Sequence, residues 1–232
     1  MSSLLQGDAD VAAVAALVAE PTRAAILHAL MDGGALSSGE LARRAGIAAS
    51  TASEHLTRLL GGGLLVREVA GREHRYRLAS PAVAEALELL ARLAPRRPVH
   101  SLRGAGRETA LQAARTCYDH LAGRLGVGLT DALVANGALV RGDSAFTLTA
   151  AGEELLRGLG VDVAAARAQR RSFARSCLDW SERRPHLAGS LGAAVAAMLL
   201  DRRWLVRRPA DRGLTVTAEG RAGLTALGVS AD

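Results

Sequence analysis

The chain has 232 residues, enough for one large domain or two small ones, and its net charge of +6 rests on arginine alone, with no lysine. No stretch approaches the roughly 18 consecutive apolar residues of a membrane span, and the start, MSSLLQGDADVAAVAALVAE, carries acids and no basic region, so it does not read as an export signal. The expectation is a cytoplasmic protein with no membrane partner, holding its two cysteines reduced. Arginine forks suit phosphates, so a nucleic-acid partner is permitted without being required.

Residues 8–31 carry helical apolar spacing, with Pro21 placed to start a second helix whose buried face holds Ile26, Leu27 and Leu30. In DGGALSSGELARRAGI, Ser37 or Ser38 caps a short helix that Gly46 closes. Next, AASTASEHLTRLLGGGLL predicts a helix capped by Ser50, buried through Leu56, Leu59 and Leu60, and stopped by Gly61–Gly63. Two helices about a glycine turn, the second opening on small polar residues, make a helix-turn-helix. LLVREVAGREHRYRLAS then predicts a β-hairpin wing turning at AGRE, with Arg72, His74 and Arg75 near its tip.

The run from Ser37 to Leu78, with S-x-x-S-x-H-L at Ser50, Ser53, His55 and Leu56, resembles the ArsR/SmtB family of winged-helix repressors. The resemblance covers roughly residues 8–95. It implies a homodimer joined by the first and last helices, 8–19 and 80–94, on an inverted-repeat operator in double-stranded DNA. It places Ser50, Thr51, Ser53, Glu54, His55 and Arg58 toward base edges and phosphates, and Arg72, His74 and Arg75 on flanking backbone or minor groove. The two metal sites familiar in that family are absent: GELARRAG has no cysteine, and SPAVAEALELLARLA has no His, Cys or Asp. No metal or cofactor is therefore expected there.

APRRPVHSLRGAG, 94–106, breaks the helical pattern and reads as a linker, assigned to 96–106. The domains expected are 1–95 for DNA binding and dimerisation, and 107–232 for regulation. The second contains an internal repeat, 107–161 and 167–229. RTCYDH (115–120) matches RSCLDW (175–180); LAGRLG (121–126) matches LAGSLG (187–192) after an inserted SERRPH; FTLTAAG matches LTVTAEG. Each copy reads as a long helix, a second helical segment, a hairpin and a short helix, a decayed winged-helix unit. The fold class expected is α+β: mostly α with β-hairpin wings, a winged helix-turn-helix followed by two winged-helix-like repeats.

This alignment sorts residues. Asp119, Asp179, Gly123 and Gly189, kept in both copies, are expected to build the fold. Residues that differ are site candidates, with His120 aligned to Trp180. An effector pocket is expected from Cys117, Tyr118, His120, Phe173, Cys177, Trp180, Arg183, Arg184 and His186, taking a small organic molecule. The competing reading is a thiol-redox or metal response through Cys117, His120, Cys177 and His186, which are plausible soft-metal ligands although their spacing matches no strong metal motif. Catalysis is not expected. The function expected is a sequence-specific DNA-binding regulator, a repressor, with a non-specific architectural DNA binder as the alternative.

Overall fold

The computed structural model describes residues 8–71, 73–95, 98–209 and 211–229. Arg72 of the expected wing tip and Arg96 and Arg97 of the expected linker lie outside them. The chain divides into two compact units between Leu87 and Glu88.

In the first unit, α1 (Val11–Ala19) and α2 (Pro21–Ala29) meet at Glu20, whose carboxylate accepts from the backbone N–H of Thr22 and Arg23 and so caps α2. Strand β1 (Leu36–Ser37) leads into α3 (Ser38–Ala45). Ser37 and Glu40 form a reciprocal capping box, and Gly46 ends the helix in the left-handed region. Helix α4 (Ala49–Gly61) starts two residues earlier than expected: its N-cap is Ala48, with no side-chain cap, so Ser50 lies within the first turn. Strands β2 (Leu65–Ala70) and β3 (Glu73–Leu78) pair antiparallel, and β1 joins β3 at the far edge, giving the order β1-β3-β2. Ile26, Leu27, Leu30, Leu41, Leu56, Leu59, Leu65 and Leu78 fill the core beneath this small sheet. Helix α5 (Pro81–Leu93) runs through the division between the units.

The second unit opens with α6 (Leu102–Ala113). Its first repeat is β4 (Arg115–Cys117), β5 (His120–Ala122), α7 (Gly123–Ala135), β6 (Leu139–Arg141), β7 (Phe146–Leu148) and α8 (Ala150–Gly158). After α9 (Val163–Ala168) the second follows the same plan: β8 (Arg175–Leu178), β9 (Pro185–Ala188), α10 (Gly189–Asp201), β10 (Leu205–Arg207), β11 (Leu214–Val216) and α11 (Ala218–Ala226). The expected long helix through RTCYDH and RSCLDW is absent; in both copies that segment is a β-hairpin.

The two copies interlock. Helix α7 packs on β9 of the other copy and α10 packs on β5, while β5 lies against β9. Isolated bridges repeat the exchange: Arg115 of the first hairpin pairs with Gly213, and Arg175 of the second pairs with Ala145. One continuous apolar core, including Leu121, Leu125, Leu133, Leu187, Leu191 and Leu199, runs through both copies. Hairpins too short to bury a face alone thus find their cover in the partner copy.

Candidate functional site

Helix α4 buries Ala52, Leu56 and Leu59 and exposes Ser50, Thr51, Ser53, Glu54 and Arg58. The spacing of the buried set is helical, so the polar set shares the opposite face. Arg58 and Glu54 form an exposed i,i+4 ion pair at 2.7 Å. Ser53 Oγ bonds back to the carbonyl of Ala49 at 3.1 Å. His55 is different: it is half-buried, with Nδ1 3.5 Å from the Glu20 carboxylate that caps α2. On the wing, His74 is exposed, whereas Arg75 is half-buried, donating to the carbonyl of Ala35 and lying 3.9 Å from Glu40.

In the second unit the register of the two hairpins corrects the sequence alignment. Cys117 lies opposite His120, and Cys177 lies opposite His186. Arg115 pairs with Ala122 as Arg175 pairs with Ala188, and Thr116 with Leu121 as Ser176 with Leu187. His120 is therefore the counterpart of His186, not of Trp180. The extra residues of the second copy fall in the turn, before the histidine instead of after it. A two-residue turn, with Tyr118 at φ 62°, closes the first hairpin, and Asp179 to Arg184 close the second.

Each copy thus contributes one cross-strand Cys–His pair, and the packing of β5 on β9 brings the pairs together. One potential ligand atom from each of Cys117, His120, Cys177 and His186 lies within 4.8 Å of all the others. The two Sγ atoms are 4.0 Å apart and the imidazole centroids 5.2 Å apart. Cys117, His120 and His186 are buried and Cys177 partly so. Each histidine has a carboxylate behind Nδ1: Asp119 at 3.4 Å from His120, and Asp179 at 3.6 Å from His186. Apart from the Cys177 sulfur that both rings approach, His120 Nε2 and both nitrogens of His186 have no hydrogen-bond partner among the described residues.

The charges around the centre are paired. Asp179 accepts from Arg115 at 2.8 Å, with both side chains fully buried, and from the backbone N–H of Gly123 at 2.7 Å. These contacts hold its carboxyl well below the carboxylate range against the large opposing effect of burial. Asp119 is salt-bridged to Arg171, and Arg212 donates to Glu88 at 2.6 Å. The Cys117 hydrogen bond, with further ones from both imidazoles, holds the Cys177 thiol far below its ordinary range despite burial. Cys117 moves up instead, through that same bond and through burial. Burial pulls His120 down, but Asp119 and Cys177 outweigh it and raise its pKa.

The other residues expected to line a pocket are engaged elsewhere. Trp180 stacks on the Arg115 guanidinium, 4.5 Å from ring centroid to Cζ, and Phe173 carries Arg167 at 4.3 Å. Arg184 pairs with Asp131 on α7 at 2.7 Å, Arg183 is exposed at φ 57°, and Tyr118 sits in its turn. A cavity between α7 and α10, lined by Leu121, Leu129, Thr130, Leu187 and Val195 among others, has room for about one water molecule.

A helix-turn-helix domain family model matches residues 18–68. The HTH-type transcriptional regulator YdfF of Bacillus subtilis is 42% identical over 212 residues, covering 91% of this chain and 94% of its own. The chain belongs to the HTH-type transcriptional regulators. The HTH-type regulator CmtR of Mycobacterium tuberculosis is 46% identical over 70 residues, 30% of this chain and 58% of its own. A solved homodimeric winged helix-turn-helix DNA-binding domain, Mb0332 from Mycobacterium bovis, aligns with 27% identity and a TM-score of 0.37, covering 44% of this chain and 97% of that one. As an HTH-type regulator this protein binds DNA, and its N-terminal third is the winged helix-turn-helix expected from the sequence. The likeness to YdfF runs through both units, so the duplicated half belongs to an architecture that the two regulators share.

Proposed function

We propose that the protein is a homodimeric repressor that reads an inverted-repeat operator with α4 and the wing, and that its duplicated C-terminal unit is the regulatory part. The supporting observation is the polarity of α4, which buries Ala52, Leu56 and Leu59 and presents Ser50, Thr51, Ser53, Glu54 and Arg58 on its free face. Short hydroxyls let a helix approach base edges closely, and a guanidinium reaches guanine or phosphate. Arg58 would leave Glu54 for DNA at small cost, because an exposed ion pair contributes less than about 1 kcal/mol. His55 carries a different role in this reading: its contact with Glu20 sets the angle of α4 against the cap of α2.

The test is binding to the DNA upstream of the protein's own gene. Wild-type affinity should fall steeply with salt, as phosphate contacts require. Ser53→Ala with Arg58→Ala should lower affinity about ten- to a hundredfold, one or two contacts of about 1–3 kcal/mol each. Unchanged, sequence-selective binding by the double variant would remove α4 from the role of recognition helix.

A further inference from the structure

Two hairpins, one from each repeat, deliver two thiols and two imidazoles into one small volume beneath the paired helices. We infer that Cys117, His120, Cys177 and His186 form a closed, four-coordinate site for a divalent cation of the zinc class, and that this ion is the effector of the regulatory unit. The second half of the inference rests on the proposed function; the first half does not.

Geometry carries it first. Two sulfurs bound tetrahedrally at about 2.3 Å from one zinc stand about 3.8 Å apart, and Sγ of Cys117 and Sγ of Cys177 are 4.0 Å apart. A disulfide would need about 2.05 Å and would give the histidines no role. The donor set is S2N2, which selects tetrahedral, thiophilic d10 ions over oxygen-seeking magnesium or calcium. With all four positions taken by protein, no site remains for a reacting water, so the centre is regulatory or structural in kind and not catalytic.

The surroundings support the same ion. Asp119 and Asp179 stand behind the Nδ1 atoms, the arrangement that leaves Nε2 as the ligating nitrogen and fixes the ring. A buried imidazole nitrogen with no N or O partner is costly, and here both rings approach the Cys177 sulfur instead. Charge balances as well. Two thiolates and one divalent cation sum to zero, while the nearby Arg115–Asp179 and Arg212–Glu88 pairs neutralise themselves. Occupancy swaps the protons of the Cys–His cluster for metal: they leave to buffer as the ion enters, and no electron moves.

The experiment uses the full chain, stripped of metal under reducing conditions and titrated anaerobically with Co2+ and then Zn2+. One Co2+ per chain should bind with the intense visible bands of tetrahedral cobalt and a thiolate charge-transfer band. One equivalent of Zn2+ should abolish both and slow the reaction of both thiols with a thiol reagent. Cys177→Ser should erase the charge-transfer contribution of one thiolate and weaken binding at least tenfold. Should that variant fail to fold, His186→Gln and His120→Gln provide the same test, each lowering metal affinity about 10- to 100-fold or more with the thiolate band retained. Weak octahedral cobalt bands, uptake below one ion per chain, or affinity unchanged in all three variants would overturn the site. No DNA is present, so failure here leaves the operator reading standing, and failure to bind operator leaves this site standing.

Discussion

Arg115 and Asp179 come from different repeats, and neither side chain has any exposed surface. The guanidinium also donates to the carbonyl of Leu111 and to Ser181, while the carboxylate accepts from Gly123 N–H and the backbone of Ser181, so the pair ties β4, the start of α7 and the second hairpin turn into one network. Breaking a buried pair from one side strands a charge, and Arg115→Met should cost about 3–5 kcal/mol, read as a lower urea midpoint for the C-terminal unit; a midpoint at the wild-type value would show that water compensates Asp179. Glu20 offers a pH test. Its carboxylate, lowered to about 2 chiefly by the Thr22 N–H bond, is below its ordinary value of 4.5, so the charged form stabilises the fold. That contribution is complete above about pH 4.5 and disappears as pH falls toward 2. The stability difference between wild type and Glu20→Gln should be flat above pH 5.5 and shrink below 4.5; a constant difference down to pH 3 would refute the capping role. Recurrence in both copies marks Asp179 as architectural, but nothing in the sequence shows that its partner is Arg115, 64 positions away, because pairings across a duplication leave no local trace.

Glycine and register define the repeat at the scale of its elements. Gly123 and Gly189 both sit at φ 78°, where each first-hairpin strand turns into its long helix. A Cβ on Gly189 would stand 2.4 Å from the carbonyl oxygen of Ser172, and on Gly123 2.6 Å from that of Gln112. Gly189→Ala therefore combines backbone strain with a clash against main chain, and should destabilise by at least about 2 kcal/mol, seen as a lower melting temperature; an unshifted melt would mean that the turn relaxes freely. The DNA-binding unit was legible because its signals are local: the Ser37–Glu40 box, Gly46 and the apolar stripe of α4. The first hairpin of each repeat was not. Three- and four-residue strands are too short to show alternation, and RTCYDH looks equally acceptable as helix. Taken as helix, the segment puts the inserted residues after position 180 and hides the equivalence of the histidines. A second aligned feature, HLAG at both 120–123 and 186–189, carried the right signal.

At the scale of the molecule, a DNA-reading unit and a duplicated unit are joined through α5, whose later half carries Glu88. Glu88 holds Arg212, whose carbonyl accepts from Thr116 N–H, the residue beside Cys117. Helix α5 is therefore anchored one residue from a ligand of the centre, and filling the centre ties down the strand that carries that anchor. An effector that favours one state of such a unit typically shifts operator affinity by about 1–3 kcal/mol, five- to 150-fold. The decisive measurement is operator binding by the full-length protein, metal-free and with one equivalent of Zn2+, in wild type and in Cys177→Ser. A zinc-dependent change of about fivefold or more in wild type, absent from the variant while its metal-free affinity is retained, is the expected result. Equal operator affinity with and without zinc in the wild type would contradict the account.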